Sequence, residues 1–180
     1  MTILKIVEAP DPVLKQKARP VRPEEFGYDL EKFMNDMVDT MYEGDGIGLA
    51  APQVGDSRRI LVAEPCRPGE DEAKVPLYFM VNPEIIERSE EMVGCEGGEG
   101  CLSLPGFLFM VPRHKVIRVK WQTPDGEEHT RQIRDFRAMV IQHEIDHLDG
   151  ITLLERASRA HRRSWLRARK KNRSRKKPTA

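Results

Sequence analysis

Between Asp29 and Glu43, apolar side chains recur at Leu30, Phe33, Met34, Met37, Val38, Met41 and Tyr42. Steps of three and four put them on one side of a helix, so this segment is predicted as an amphipathic helix facing a core. A second helical stripe runs through Phe136, Met139, Val140, His143 and His147. It ends on two imidazoles, which need polar partners if they face a core. Asp135 is read as the cap that starts this helix and Gly150 as the signal that stops it. Strand-like runs occupy residues 59–63, 77–81, 115–121 and 128–133, and Thr123-Pro124-Asp125-Gly126 turns the last two into a hairpin. Residues 11–18 are read as a short helix and residues 65–74 as a polar surface loop. Helices and antiparallel strands are segregated, so the class is α+β, with antiparallel strands packed around the central His143/His147 helix and a further helix at the C-terminus.

Length adds little to this picture, since 180 residues suit one folded unit. Charge adds more. Residues 156–180 hold 12 of the 30 Lys and Arg and none of the 29 Asp and Glu. The rest of the chain therefore has 18 basic against 29 acidic residues, so a body at −11 carries a tail at +12 and the overall +1 conceals both. We divide the chain accordingly into a catalytic part, 1–155, and a basic C-terminal helix with a disordered tail, 156–180. Residues 151–171 are predicted helical, with Leu154, Ala157, His161 and Trp165 on one side, and residues 172–180 disordered. No apolar run approaches twenty residues, the N-terminus is not signal-like and the cysteine count is three, which together predict a cytoplasmic protein without membrane contact. No additional apolar stripe calls for a second copy, which predicts a monomer.

His143-Glu144-Ile145-Asp146-His147 is an H-E-x-x-H motif. Histidines four apart lie one turn apart on a helix and can grip one metal ion, and Glu144 can reach a water on that ion as a general base. The third ligand separates the enzyme classes that share the motif. The metzincin pattern fails, because Leu153 stands where its third histidine belongs. Glu155, eight positions past His147, is too close to reach back after the helix ends. The ligand is therefore expected upstream, among Cys66, Cys95 and Cys101. Cys101 is favoured by its setting, Gly98-Glu99-Gly100-Cys101-Leu102-Ser103, where glycines let backbone approach a site closely. Cys66 falls in a polar loop, and Cys95 is read as packing near a strand end.

Gly46-Ile47-Gly48-Leu49-Ala50-Ala51-Pro52-Gln53, Glu99-Gly100-Cys101-Leu102-Ser103 and Gln142-His143-Glu144-Ile145-Asp146-His147 together resemble the three ordered motifs of bacterial peptide deformylases. The resemblance covers residues 3–154. It implies a hydrolase that removes the N-formyl group from the initiator methionine of nascent polypeptides and releases formate. It implies a divalent metal held by Cys101, His143 and His147, with Fe2+ native and Zn2+, Ni2+ or Co2+ as substitutes. It implies Glu144 as base and then acid, and Gln53 with the Leu102 N–H as donors to the developing oxyanion. Ile47, Gly48, Glu99 and Gly100 are expected along a peptide groove, with Phe136, Met139 and Val140 shaping the methionine pocket. An extended substrate could add to the Gly46–Gln53 strand edge through its main chain, a mode that reads few side chains.

Two segments depart from the family pattern. Asp135 and Arg137 fall where a glycine and an apolar residue are common, and Gly97-Gly98 stand where bulkier residues often form a pocket wall. The basic tail suggests nucleic-acid binding, because each phosphate neutralised by Lys or Arg releases counterions, and the family resemblance points to docking on the ribosome. On this reading a chain lacking residues 160–180 loses ribosome affinity and keeps turnover of short peptides. A metal-dependent peptidase is disfavoured by the upstream cysteine ligand, and an inactive ribosome-binding homologue by the presence of every catalytic residue.

Overall fold

The computed structural model describes residues 2–66, 69, 75–106 and 108–175. Most of the loop expected at 65–74, and the tail beyond 175, lie outside the described residues. A five-stranded antiparallel sheet forms the middle layer, in the order β1 (Gly48–Ala50), β2 (Ile60–Ala63), β3 (Tyr78–Arg88), β6 (Val116–Gln122), β7 (Glu128–Arg134). A separate two-stranded pair joins β4 (Met92–Val93) to β5 (Arg113–His114). Helix α1 (Tyr28–Glu43) covers one face of the sheet and α2 (Asp135–Leu148) the other, and the short α3 (Leu153–Arg156) leads into α4 (Arg159–Arg175). The class is α+β, as the sequence pattern predicts.

Side-chain alternation along β2 explains the layering. Leu61 and Ala63 join Met80, Ile117, Val119 and Ile133 in a cluster with Ala138, Ile141 and Ile145 of α2. Ile60 and Val62 point the other way and pack with Leu30, Met34, Met37 and Met41 of α1. A strand covered on both faces reads as a continuous apolar run, and all four β2 residues are buried. The α1 stripe is buried at Leu30, Met34, Met37, Val38 and Met41, while Tyr42 lies outside it, exposed and donating to Glu64 at 2.8 Å.

Several expectations are corrected. The segment 11–18 forms only one 3-10 turn, Pro12–Lys15, with the Asp11 carboxylate accepting from the Val13 N–H. Strand β3 runs past Val81 to Arg88, because a bulge between Val81 and Glu84 absorbs Asn82 and Pro83 and a second between Ile85 and Glu87 absorbs Ile86. Asn82 adopts a positive φ of 52° and its amide bonds Val21 and Gln122, so a residue that looks like a breaker holds the strand in place. The helix expected over 151–171 is interrupted at Ala157 and Ser158, and α4 then continues to Arg175. Asp135 does not cap α2. Arg134 occupies the N-cap position without a side-chain bond, and Asp135 is the first helical residue. Its φ is +53°, a conformation that glycine takes freely and Asp tolerates. Gly150 does end the helix, with φ +73° and so little room that a Cβ would meet the Lys15 carbonyl carbon at 2.8 Å.

The first part of α4 belongs to the packed structure. Trp165 is 1% exposed and lies in a third cluster with Leu14, Leu104, Phe109, Leu153 and Leu154. Arg169 covers the Trp165 ring at 5.3 Å and is ion-paired to Glu8. Removing residues 160–180 would uncover this cluster, so truncation is not a clean test of the tail. No helix among the described residues is long and apolar enough to cross a membrane.

Candidate active site

Helix α2 supplies the centre of the site. It is the most enclosed helix, with every residue from Ala138 to Leu148 buried. His143 and His147 face the same way, their ring centroids 5.1 Å apart and inclined at 66°. Cys101, from the loop closed by the Glu99–Phe109 bridge, comes within 3.2 Å of His147 Nε2. The donor atoms of Cys101, His143 and His147 all lie within 4.8 Å of one another, the one such three-residue group among the described residues. Bonds of ~2.3 Å to sulfur and ~2.0 Å to nitrogen at a tetrahedral angle imply donors ~3.5 Å apart. Two imidazoles and one thiol at this spacing fit one divalent cation. Cys66 and Cys95 are outside this group, though both line the cavity in front of it.

Gln53 reaches the same point from the opposite side. It lies in the 3-10 turn Ala51–Val54 and is 1% exposed. Its Oε1 accepts from the Ala50 N–H at 2.8 Å, and since that N–H can only donate, the amide orientation is fixed. The NH2 group must then face Cys101 Sγ at 3.6 Å and Ser103 Oγ at 3.3 Å. Leu102 inserts its side chain between the Gly44–Gly46 turn and the α1 core, which pins the backbone next to Cys101.

Glu144 projects toward β1. A Cβ on Gly48 would meet its Cδ at 2.9 Å, so Gly48 is required by contact with the carboxyl group. Glu144 Oε2 is buried with no hydrogen-bonding partner among the described residues. Burial pushes this carboxyl up to about 7, against the opposing pull of a positive His143 and with support from Glu99. A general base is most effective with a pKa near the working pH. Burial pulls both histidines down. In His147 nothing offsets it, whereas Cys101 and Glu99 as hydrogen-bonding partners leave His143 well above its usual value.

A cavity of about 760 Å³ opens in front of these groups, lined by Ile47, Gly48, Glu99, Gly100, Leu102, Phe136, Met139 and Val140 among others. Every residue expected in the groove or the methionine pocket therefore borders one space. Strand β1 forms its edge, with β2 its one strand partner among the described residues.

The sequence pattern alone does not single out Arg113, Asp146 or Arg156. Glu99 accepts from both Nε and Nη2 of Arg113 at 2.9 Å and binds His143 Nδ1 at 2.8 Å. Burial raises the Glu99 carboxyl, but its bonds to Arg113 and His143 outweigh that and hold it low. An aspartate at 146, inside a helix buried all round, demands a cationic partner, but that burial is visible only in the fold.

The polypeptide deformylase family model matches residues 3–163. The chain belongs to the polypeptide deformylase family. It is 42% identical to the peptide deformylase of Desulfotalea psychrophila over 95% of this chain and 97% of that protein. It is 44% identical to that of Natranaerobius thermophilus over 90% of this chain and 97% of the relative. Among solved structures, Arabidopsis thaliana peptide deformylase 1B, as a G41M mutant, aligns with a TM-score of 0.84 at 33% identity, covering 96% of this chain and 92% of that one. The Acinetobacter baumannii enzyme with Met-Ala-Ser bound aligns with a TM-score of 0.78 at 38% identity, covering 87% and 99%.

Proposed function

We propose that Glu144, Gln53 and the Leu102 N–H carry out the family's reaction in this chain, the metal-dependent hydrolytic removal of the N-formyl group from nascent peptides, with Cys101, His143 and His147 as metal ligands. The observation that supports this most is the convergence of three ligand donors, a buried carboxyl and an oriented amide at the floor of one cavity. When bound, a divalent cation supplies a Lewis acid that makes hydroxide accessible near neutral pH. Fe2+ is the proposed metal on family grounds, while the donor set also suits Zn2+, Ni2+ or Co2+.

Glu144 accepts the proton of the water that attacks the formyl carbon. The Gln53 amide and the Leu102 N–H donate to the oxygen that becomes negative, each such donor contributing about 3–4 kcal/mol. Glu144 then returns the proton to the leaving amine as the C–N bond breaks, giving formate and a free N-terminus. The peptide adds along β1 at Ile47 and Gly48, beside Gly100. Its methionine side chain enters between Phe136, Met139 and Val140, with Glu99 at the wall. The Met-Ala-Ser complex of the A. baumannii relative supports a peptide in this cavity.

The exposed face of α4 is proposed to dock on ribosomal RNA or an exit-tunnel protein, with residues 1–155 carrying the chemistry. The proposed setting is cytoplasmic, as a monomer.

The test is formate release from formyl-Met-Ala-Ser by anaerobically prepared, metal-loaded protein. Wild type should turn over, and Glu144→Gln should lose about 10³–10⁴-fold in kcat with metal content unchanged. Absence of formate at full metal occupancy overturns the reading, and cleavage of an unformylated peptide at an internal bond would favour a peptidase.

A further inference from the structure

Behind the site runs a chain of alternating charges. His143 Nδ1 meets Glu99 Oε2 at 2.8 Å, and Glu99 is gripped by two nitrogens of Arg113. The third, Arg113 Nη1, donates to Asp146 Oδ2 at 2.5 Å. Asp146 accepts in turn from Arg156, at 3.0 Å from Nε and 2.5 Å from Nη2. Arg113 is 4% exposed, and the Glu99 and Asp146 side chains 9% and 12%. Only Arg156, with a side chain 43% exposed at the end of α3, reaches water.

Three ionised groups in a nearly closed interior, Glu99, Arg113 and Asp146, carry a desolvation cost that well-packed apolar residues would avoid. Stability alone does not explain such a set, whereas orientation does. The Nδ1 partner of a ligating imidazole fixes its ring plane and which nitrogen is left for the metal. A glutamate holding one ring by one oxygen can still rotate. Two parallel bonds from a guanidinium stop that rotation, because the fork and the carboxylate are both planar. Arg113 is locked in turn by Asp146, which projects from α2 three residues after His143. The loop bearing Cys101 and the helix bearing both histidines are thereby clamped by one guanidinium.

We propose that Glu99, Arg113, Asp146 and Arg156 act as a positioning relay that orients His143 as a ligand, so that metal retention depends on residues that touch neither metal nor substrate. This rests on the metal reading above. It also gives Glu99 a role distinct from lining the peptide groove, and makes the junction between α3 and α4 part of the site's support.

The full chain, loaded with Co2+, is titrated with a chelator of known affinity while the visible cobalt bands are recorded. Asp146→Asn presents an amide NH2 to one of two guanidiniums, dislodges the Arg113 fork and should weaken cobalt retention 10–100-fold with a shifted band. Arg156→Gln, at a half-exposed position that the fold tolerates, should weaken it about 3-fold, and Arg156→Lys should restore most of that loss. Altered bands at an unchanged melting temperature, with rescue by lysine, support the relay. If Asp146→Asn fails to fold, the two Arg156 variants decide alone. Wild-type retention and bands in Arg156→Gln, or in folded Asp146→Asn, overturn the relay while leaving the metal reading intact. A wild-type chain that binds no cobalt overturns both.

Discussion

Helices α2 and α4 are separated by ten residues that include α3, yet they follow opposite rules. In α2 every side from Ala138 onward is covered: Gln142 and Asp146 bond His114 and Arg113, while His143, Glu144 and His147 face the candidate site. Among the α4 residues whose burial is described, 159–170, Trp165 alone is fully buried, and Arg163, Arg167 and Lys170 are exposed. A helix buried all round can hold imidazoles and a carboxyl to a fixed geometry, since any displacement is resisted by packing. A helix anchored by one tryptophan is free to present charge, where distance matters less and number matters more. The first is limited by position and the second by charge.

The largest test of that contrast concerns the anchor. Trp165→Ala should cost about 3–5 kcal/mol of folding free energy, measured by urea denaturation, with turnover of a short formyl peptide within about threefold at low temperature. A hundredfold loss of turnover in the folded variant would place α4 inside the catalytic unit and dissolve the contrast. The next concerns position. Gly48→Ala should lower kcat about 100-fold, near 2.7 kcal/mol, with metal content and melting temperature little changed, because the new methyl displaces Glu144. The smallest effect on turnover belongs to charge. Replacing Arg163, Arg167 and Lys170 by glutamine should leave kcat/KM for the peptide unchanged within twofold. The same variant should bind ribosomes more weakly, with a salt dependence shallower by about one unit of slope for each phosphate no longer neutralised.

Much of this is legible in the chain itself. Helix α1 follows from its apolar periodicity, strand β2 from its short continuous apolar run, the β6–β7 hairpin from its Pro-Asp-Gly turn, and the candidate metal group from motif spacing plus one cysteine in a glycine-rich loop. What escapes shares a cause: it depends on partners distant in sequence. Asp146 finds Arg113 33 positions away, and nothing near Arg113 marks it out. Asn82 and Pro83 read as breakers until the bulges opposite β6 are known. Ala157 and Ser158 read as helical until Trp165 is seen to dock against Leu14 and Leu104, which requires the chain to bend before α4 begins. Local pattern cannot report a constraint set by packing elsewhere.

Strand β1 is three residues long. At ~3.3 Å per residue it offers main-chain pairing over only ~10 Å of incoming peptide. On the strand-addition reading, everything downstream of the first few residues is invisible to the protein. A polypeptide still in synthesis then qualifies as soon as that short stretch is free, whatever its eventual length or fold. The brevity of one edge strand would thus set the timing of the reaction, placing it early, before a partner needing a longer exposed segment could compete.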